Sequence, residues 1–452
     1  MGQGGWIDIV NGTTYDWTRG YVHSYQMSAW DFPSVIKAGT SASVYIEFRE
    51  KLGDKWEDDG GEVEFVIQST QSPRFQIQAG GKGGYTLQAW FSNFWTQNNP
   101  SGSTIRLGWK HNGHVNFVLS GLSGNFSSTN PPSAWMQANR DTLGSRTLKQ
   151  ICIPGSHDAG MSVMNGGTAF ATPGNSLTQS FGIGAQLAAG SRYFDIRPVI
   201  SGGHFKTGHY SYVGSVLQTI GANGQYISDI INEINTFTSQ NAELIIIKFS
   251  HTFNTDVGRT YPSFTQAEWE RLFNDLLSIH NRYITSAANL TTDLTLNDFI
   301  CPAGGPVPAV LIIADVESDW ITDKYNNQGI YPLSSINLYD SYANSDSPDA
   351  TISDQLQKMR DNSSQYFLLS WTLTLQAADI ISGRATIKSL AETMNPLLYS
   401  RLTGNVTNSV YPSIIYVDYI DSNVAPLAMA INTRITSLLQ VGSLVSKITS
   451  KL

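Results

Sequence analysis

The sequence has few cysteines, a deficit of basic charge and no long hydrophobic run. Cys152 and Cys301 are its only cysteines. Two cysteines cannot build a disulfide scaffold, and this pair lacks metal-ligand spacing, so we interpret both as ordinary buried thiols, and the question of a role for them stays open. Lysine and arginine number 28 against 36 aspartates and glutamates, for a formal net charge of −8. Proteins that hold nucleic acid need clustered basic residues, and we therefore expect no nucleic-acid partner.

No segment of the sequence resembles a secretory signal or a bilayer-spanning helix. Residues 1–6 show no basic stretch followed by an apolar one, as a secretory signal would. A bilayer-spanning helix needs about 18 or more consecutive apolar residues, and no such run occurs. We expect any membrane contact to be peripheral. Secreted and cytoplasmic locations both stay open, as does the oligomeric state.

What is present fits a loop-rich globular protein of two domains. Charged residues make up 14% and hydrophobic residues 41% of the chain, with 40 glycines and 11 tryptophans. This composition differs from that of disordered chains. The length of 452 residues exceeds what one hydrophobic core usually serves.

Residues 1–121 alternate between polar and apolar positions, as in Ser43–Phe48 and Glu62–Ile67. Short alternating segments between Gly, Asn, Asp and Ser clusters predict an all-β antiparallel sandwich. Five tryptophans stand out in it, namely Trp17, Trp30, Trp90, Trp95 and Trp109. Aromatic side chains with one wet end favour membrane interfaces and sugar faces, so we hypothesise that this domain targets a surface or a membrane.

Residues 122–133 consist of turn-forming residues and are predicted to be a linker. From residue 134 to residue 452, apolar β-branched runs such as Leu244–Ile247 and Val310–Ile313 alternate with segments of helical periodicity. Such runs suit parallel strands buried on both faces. Repeated strand and helix units over about 300 residues predict a distorted (β/α)8 TIM-type barrel.

Polar residues stand where the predicted barrel strands end. They are His157 and Asp158 after the first strand, Asp195 and Arg197 at the second, His209 at the third, Lys248 at the fourth, and Asp418 after Ile414–Val417. Active-site groups of such barrels gather at the carboxyl ends of the strands. We therefore predict that these side chains share one site.

This set of residue types suits phosphodiester cleavage. The reaction needs a base for the attacking hydroxyl, an acid for the departing oxygen and a cation for the charge on the phosphoryl oxygens. His157 and His209 can serve as base and acid because histidine titrates near neutrality, and Arg197 supplies the cation. Asp158 and Asp418 are candidates for holding the two rings in one tautomer. We interpret three other histidines as structural: His204, His251 and His280.

The motifs around these residues resemble the X-domain of phosphatidylinositol-specific phospholipase C in its compact bacterial-type form. The resemblance covers roughly residues 134–440. It rests on Ile153–Asp158, Arg192–Arg197, Gly208-His209, Ile245–His251 and Tyr416–Ile420, which occur in the family's order.

By position, the resemblance implies that His157 is the base for the inositol 2-hydroxyl, supported by Asp418. It implies that His209 is the acid and that Asp158 orients it. The substrate would be an inositol phospholipid, and the products diacylglycerol and inositol 1,2-cyclic phosphate.

The same resemblance assigns the remaining charged residues. Arg197 would neutralise the pentavalent phosphorane, and Asp195 would steady this cluster. Lys248, Asp340 and Tyr342 would hold the inositol ring. Where bacterial members carry a second inositol-binding arginine, this chain reads Ile312–Val316, so a glycosylated relative of phosphatidylinositol stays open as the substrate.

We expect no required metal and no cofactor. Calcium-dependent relatives place carboxylates two residues apart on the second strand, whereas here Asp195 is followed at that spacing by Arg197, whose guanidinium would occupy the place of the ion. One alternative is a metal-dependent phospholipase D or sphingomyelinase D on a similar barrel, which would need carboxylates instead of Arg197. Another is a non-enzymatic lipid- or glycan-binding protein with an idle barrel.

Overall fold

The alternating segments of the first part of the chain form two β-sheets. A computed structural model describes residues 2–212, 219–258 and 261–435. The strands of this part are β1 (Gln3–Thr13), β2 (Trp17–Tyr25), β3 (Met27–Trp30), β4 (Val35–Ile36), β5 (Thr40–Phe48), β6 (Gly60–Ile67), β7 (Arg74–Gly80), β8 (Thr86–Phe91), β9 (Thr104–Gly108), β10 (His114–Leu122) and β11 (Asn125–Ser128).

The two sheets share one apolar core. Their strand orders are β11-β10-β1-β5-β3 and β4-β2-β6-β7-β8-β9. The β1–β10 ladder is parallel, and the other ladders of this part are antiparallel. Ile9, Phe65 and Phe117 are fully buried in the common core, as alternation along two packed sheets requires. This arrangement is compatible with the predicted sandwich, with one parallel ladder added.

The segment predicted to be a linker, residues 122–133, contains a strand instead. Leu122 pairs with Asn125 across a tight turn at Ser123-Gly124, and β11 forms the edge of the five-stranded sheet. Its Ser128 is buried and lies 2.8 Å from the Thr96 hydroxyl, Oγ to Oγ1. Turn-forming residues are as typical of hairpins as of linkers, so composition could not separate the two.

Contacts divide the chain differently from the predicted boundary at residue 134. One unit comprises the residues up to Pro132, Pro396–Tyr411 and the described residues from Ala425 on, while the other comprises Ser133–Asn395 and Pro412–Val424. Residues 424–435 are helical, and a Cβ added to Gly12 would lie 2.3 Å from Ala430 Cβ. The end of the helix therefore packs on β1, a partner far away in sequence.

The second unit alternates strands and helices. Its strands are β12 (Ile153–Ser156), β13 (Tyr193–Ile196), β14 (Pro198–Ser201), β15 (His204–Tyr212), β16 (Thr219–Tyr226), β17 (Leu244–Phe249), β18 (Phe253–Asn254), β19 (Ala309–Ala314), β20 (Ile330–Pro332), β21 (Leu338–Asp340), β22 (Tyr366–Ser370) and β23 (Ile414–Val417). The α-helices, of which the last continues into the first unit, are α1 (Trp135–Ala138), α2 (Arg140–Leu143), α3 (Pro173–Ser176), α4 (Ile183–Ala188), α5 (Ile227–Thr238), α6 (Gln266–Leu276), α7 (Leu296–Ile300), α8 (Asp323–Asn326), α9 (Pro348–Asp361), α10 (Ala377–Ser382) and α11 (Ile387–Arg401).

Eight of these strands form one parallel sheet that curls. Its order is β20-β19-β17-β13-β12-β23-β22-β21, and all its ladders are parallel. β17 and β21 are five steps apart, which would separate them by roughly 24 Å in a flat sheet. Yet Lys248 Nζ lies 2.6 Å from Asp340 Oδ2. The sheet therefore bends round toward the predicted barrel, with β20 and β21 as its edges.

Helices cover the outside of this sheet with their apolar faces. Ile230 and Ile234 of α5 and Leu272 of α6 belong to the same buried cluster as Ile247 of β17. Within the described residues, every helix is too short or too polar to span a bilayer. A smaller sheet of order β16-β15-β14-β18 accompanies the parallel sheet.

A fully buried ion pair connects the amino-terminal end of β13 with α1. Arg192 Nε donates to Glu243 Oε2 at 2.9 Å, and neither side chain is exposed. Glu243 also accepts the backbone N–H groups of Met136 and Gln137, at 3.1 and 2.9 Å. Both side chains are buried and water reaches neither of them. Loss of the Arg192 charge would therefore leave the Glu243 carboxylate desolvated and without its ion-pair partner, and the reverse holds for loss of Glu243.

We expect Arg192→Met to lower the free energy of unfolding by about 3–5 kcal/mol, because it strands the Glu243 carboxylate in the interior. Urea unfolding followed by fluorescence measures the effect. The double variant Arg192→Met/Glu243→Leu serves as the control and should lose less stability than the single variant. Equal losses would contradict a dominant role for the unpaired charge.

Candidate active site

Parallel pairing places His157 beside Asp418. The β12–β23 ladder ends with Ser156 opposite Val417, and the next residue of each strand is the histidine or the aspartate. The His157 backbone N–H extends the ladder to the Val417 carbonyl at 3.0 Å. His157 Nδ1 lies 2.6 Å from Asp418 Oδ1. Strand register alone therefore explains this pair.

The neighbouring ladders bring Asp195 and Lys248 to the same level. Ser156 lies opposite Phe194, which puts Asp195 next to His157, and Asp195 is paired directly with Lys248. Neighbours in a parallel sheet project to the same side. The result is a row of four ionisable side chains, Asp418, His157, Asp195 and Lys248, across four adjacent strand ends.

Arg197 joins this row to the imidazole of His157. Its Nε donates to Asp195 Oδ2 at 3.0 Å, and its Nη2 lies 2.8 Å from His157 Nε2. Nη1 lies 3.8 Å from Asp158 Oδ2. A guanidinium only donates hydrogen bonds, so His157 accepts at Nε2 and carries its proton at Nδ1, facing Asp418. This neutral tautomer presents a basic lone pair to the site.

Charge and burial act in opposite directions on His157. Burial favours the neutral ring and lowers its pKa, whereas the adjacent Asp418 carboxylate raises it, and the net direction is upward. For Arg197, burial is likewise outweighed by the Asp195 and Asp158 carboxylates, which raise its pKa well above the ordinary value. The guanidinium therefore stays charged at any physiological pH.

The second imidazole is held by Asp158 in a region where two chain segments approach closely. His209 Nδ1 lies 2.8 Å from Asp158 Oδ2. Thr207 and His209 project from the same side of β15, and the Thr207 hydroxyl donates to the Gly160 carbonyl at 2.9 Å. A Cβ on Gly160 would lie 2.2 Å from Thr207 Cγ2. Only glycine lets the loop after β12 come near enough for Asp158 to reach His209.

Asp195 is the buried centre of the cluster. Besides Arg197, its Oδ2 accepts the Tyr416 hydroxyl at 2.6 Å, and its Oδ1 accepts the Ser250 hydroxyl at 3.2 Å. Burial alone would raise its pKa, but Arg197 and Lys248 lower it far below the usual range. Asp195 is therefore a permanent carboxylate.

Lys248 and Asp340 form a second charged pair at the same opening. Their contact, 2.6 Å from Nζ to Oδ2, leaves the lysine side chain 5% exposed and the aspartate 28% exposed. Burial opposes the charge on Lys248, yet the Asp195 and Asp340 carboxylates raise its pKa. Tyr342, two residues beyond Asp340, is 59% exposed.

One cavity of about 290 Å³ contacts these groups. Its charged and polar lining includes eight of the nine predicted site residues: His157, Asp195, Arg197, His209, Lys248, Asp340, Tyr342 and Asp418. The ninth, Asp158, is fully buried behind His209. One wall is apolar and consists of Leu373, Leu375, Ile380 and Ile387. The cavity can therefore accept a ligand with a polar, anionic part and an apolar part.

The structure differs from the sequence-based expectations at two histidines. His209 does not end the third strand of the parallel sheet; it lies within β15 of the smaller sheet. His251, which we interpreted as structural, lines the cavity and follows Ser250, to which it is hydrogen-bonded at 2.8 Å. His251 comes three residues after Lys248 and directly after Ser250, at the end of β17. This position among strand-end polar residues was a signal that the sequence-based prediction did not use.

Two hydroxyls that hold Asp195 were also missed. Tyr416 stands inside the apolar run Ile414–Val417, and Ser250 is a small hydroxyl residue directly after the mainly aliphatic segment Leu244–Phe249, so neither position resembles a functional residue in sequence. Tyr416 and Asp418 are two positions apart in the chain, which places both side chains on the same side of β23. That spacing was the available signal.

Arg197 occupies the position between the two carboxylates that could otherwise hold a cation. It lies 3.0 Å from Asp195 and 3.8 Å from Asp158. Across residues 2–212, 219–258 and 261–435, no group of three or more His, Cys, Asp or Glu side chains is arranged to hold a metal ion.

No protein-family pattern and no curated protein sequence matches the chain. Among solved structures, a phosphatidylinositol-specific phospholipase C from Listeria monocytogenes is 19% identical; the match covers 64% of this chain and 95% of that protein, with a TM-score of 0.46. A phosphatidylinositol-specific phospholipase C from Staphylococcus aureus containing pentafluoro-Phe is 15% identical, with coverages of 68% and 98% and a TM-score of 0.47. The ligand of the cavity is therefore inferred from the side chains that line it.

We expect Asp418→Asn to lower the pKa of His157, because it removes the carboxylate that does most to raise that pKa against burial. NMR titration of the ring measures it. In the unsubstituted protein the neutral ring appears only above the ordinary histidine pKa of about 6.5, whereas in the variant it should persist to lower pH. Asp340→Asn removes an equal charge beside Lys248 and should leave His157 unchanged. An unaltered titration in Asp418→Asn would refute the assignment.

Proposed function

We propose that this chain is a metal-independent phosphodiesterase that cleaves phosphatidylinositol, or a glycosylated relative, into diacylglycerol and inositol 1,2-cyclic phosphate. The observation that carries the proposal is a pair of imidazoles on one cavity, each bound at Nδ1 by its own aspartate, with a guanidinium between them. The resemblance of the surrounding motifs to bacterial phosphatidylinositol-specific phospholipase C supports the same reaction.

In the first half of the reaction, His157 acts as the base. A phosphoryl oxygen of the bound lipid takes the place of His157 Nε2 as partner of Arg197 Nη2, now 2.8 Å from that nitrogen. The freed Nε2 then accepts the proton of the inositol 2-hydroxyl, whose oxygen attacks phosphorus. Asp418 stabilises the imidazolium that results. Arg197 offsets the charge that grows on the phosphoryl oxygens.

In the second half, His209 acts as the acid. The bond between phosphorus and the glycerol oxygen breaks, and the departing oxygen takes the proton from His209 Nε2. Asp158 holds the opposite nitrogen at 2.8 Å, which directs Nε2 toward the cavity and the departing oxygen. Water returns the two histidines to their starting protonation states.

The two ends of the substrate fit different walls. Lys248 and Asp340 present a donor and an acceptor 2.6 Å apart, a pair that can bind neighbouring inositol hydroxyls, while the exposed Tyr342 supplies a ring face. The apolar wall around Leu373 and Ile387 suits the glycerol and the first acyl carbons. A purely ionic phosphodiester would leave that wall wet.

Both alternatives make different demands on the site. A metal-dependent phospholipase D-like reaction needs free carboxylates, but Asp195 and Asp158 face Arg197. A binding protein with an idle barrel has no need of two imidazoles each oriented by a carboxylate. We therefore favour the phosphodiesterase.

We expect His209→Ala to reduce kcat by about 10²–10⁴-fold, the usual contribution of a general acid, while binding to vesicles containing phosphatidylinositol persists. Phosphorus NMR follows the cyclic phosphodiester. The loss should shrink when the glycerol is replaced by nitrophenol, because that anion leaves without a proton, whereas His157→Ala should remain inactive on both substrates.

His204→Ala, an exposed histidine on the same strand, is the matched control and should retain full turnover. The assays contain EDTA, because Arg197 rather than an ion neutralises the phosphoryl group. Turnover that calcium restores would favour the metal-dependent alternative, and unchanged turnover in His209→Ala would favour an idle barrel.

Exposed aromatic residues beside the cavity indicate how it meets a lipid surface. Phe170 is 70% exposed and Phe181 53% exposed. They flank Asn175 and Thr178, which line the cavity. Solvent-exposed aromatic side chains favour the membrane interface. We infer that this loop inserts peripherally and places the opening against the headgroups.

We expect Phe170→Ala/Phe181→Ala to weaken binding to phosphatidylinositol vesicles about tenfold or more, since each ring buries apolar area in the bilayer. Cosedimentation measures binding, and turnover of a short-chain, monomeric substrate should stay unchanged. Ile284→Ala removes a side chain that is 56% exposed near the opposite, amino-terminal end of β19, and it should bind normally. If Phe170→Ala/Phe181→Ala binds the vesicles as well as Ile284→Ala does, the proposed insertion of the loop is wrong.

A further inference from the structure

The sandwich carries a cleft that the proposed reaction does not use. It encloses about 810 Å³ and lies wholly on the outer face of the six-stranded sheet. Its lining consists mainly of amides, tyrosines and glycines, together with the charged residues Glu62, Lys82 and Arg106. A cleft of this size on a β-sheet is large enough for a ligand of several rings.

Strand register places one continuous polar row along the floor. The cross-strand partners, in order over five strands, are His23, Glu62, Gln78, Gln88 and Arg106. At the spacing of neighbouring strands the row is roughly 19 Å long. The charged members lie toward its two ends and the amides at its centre.

The central amides are fixed in one orientation by each other. Gln88 Nε2 donates to Gln78 Oε1 at 2.7 Å, and Gln78 Nε2 donates to Gln76 Oε1 at 2.8 Å. Each amide nitrogen has a second N–H, and each carbonyl oxygen a second lone pair, which are left for a ligand. Such a floor offers donors and acceptors at alternating positions without net charge.

Glycines form the next row and leave the cleft open. Tyr25 is paired with Gly60, Gly60 with Gly80, and Gly80 with Thr86. A Cβ built on Gly80 would meet no atom within 4 Å, so no packing constraint in the protein requires glycine there. Gly60 begins β6 and Gly80 ends β7, and the lack of a side chain at both positions leaves this end of the cleft open to a ligand.

Two tyrosines border this glycine row. Tyr25 is 57% exposed, and Tyr85 lines the cleft while it packs against Phe48 at 4.6 Å between ring centres. Rings with one wet end present flat apolar faces beside a polar edge. Flat faces suit the carbon–hydrogen side of a sugar ring, and the amide row suits its hydroxyls.

We propose that this face of the sandwich binds a neutral oligosaccharide. Hydroxyl groups both donate and accept, as the amide row does, whereas an acyl chain or an apolar peptide would cover the remaining N–H groups and lone pairs of Gln78 and Gln88 without satisfying them. Along the row itself the charges balance, with Glu62 toward one end and Arg106 at the other. Lys82 also lines the cleft, so the sulfated probe in the test below decides between a neutral and an anionic ligand. This surface would direct the chain to glycan-bearing substrates or surfaces.

The test uses the full-length protein on immobilised neutral oligosaccharides of glucose, mannose and galactose, with a sulfated oligosaccharide beside them. Wild type should bind at least one neutral glycan. Gly80→Leu fills the cleft and should lose at least about tenfold in affinity, while its melting temperature does not fall, because a side chain favours the strand. Gln78→Ala/Gln88→Ala should show a comparable loss, which keeps the test valid should Gly80→Leu fold poorly.

Gly404→Leu is the matched control, because that glycine is exposed in the same unit and its added Cβ also meets no atom within 4 Å. It should bind as wild type does. The absence of any neutral glycan ligand, retention of binding in both cleft variants, or binding of the sulfated probe alone would overturn the proposal.

Two sources of the same sugar are then compared. If the glycan is lipid-borne, vesicles that contain the corresponding glycolipid should capture the protein better than the free oligosaccharide does. If it is not, the free oligosaccharide should compete fully with them. His209→Ala should bind in either case, which separates failure of this site from failure of the proposed catalysis.

Discussion

The buried carboxylate of Asp195 is the constraint on which the candidate active site depends. It accepts hydrogen bonds from Arg197, Tyr416 and Ser250, so it connects β13 with β23 and with the residue that follows β17. A buried carboxylate without partners would be protonated or destabilising. Because its partners satisfy it, Asp195 remains charged and holds the Arg197 guanidinium where it touches the first imidazole.

The backbone around this carboxylate is held in unusual conformations. Asp158, His251 and Tyr419 have φ angles of +40°, +51° and +48°, and each stands just beyond the end of a site strand. Left-handed backbone at residues other than glycine costs energy and persists where surrounding contacts enforce it. At each strand end the chain thus turns sharply after delivering a polar side chain to the cavity.

The two proposed sites differ in the chemistry that they offer. The cavity of the second unit combines fixed charges of both signs with one apolar wall, a setting for an anionic group that changes charge during reaction. The cleft of the first unit is centred on glutamine amides, which carry no charge and are hydrogen-bonded to one another. The first surface therefore suits the proposed catalysis at phosphorus, and the second suits the proposed recognition of a pattern of hydroxyl groups.

Much of the fold and the site could be predicted because the relevant signals are local. Period-two alternation identified the sheets of residues 1–121, and apolar runs identified β17 and β19 of the parallel sheet. The strand-end rule selected His157, Asp195 and Lys248, which register then aligns. The strand β11 and the place of residues 425–435 were not predicted, since both depend on partners far away in the chain.

The sequence by itself determined which residues are polar at strand ends and which faces are apolar, because burial and side-chain period are written locally. Tertiary structure alone decided the pairings: Tyr416 with Asp195 across 221 residues, Lys248 with Asp340 across 92, and His209 on a separate sheet beside Asp158. These contacts depend on register, curl and the close approach at Gly160, which arise only when distant strands are packed together.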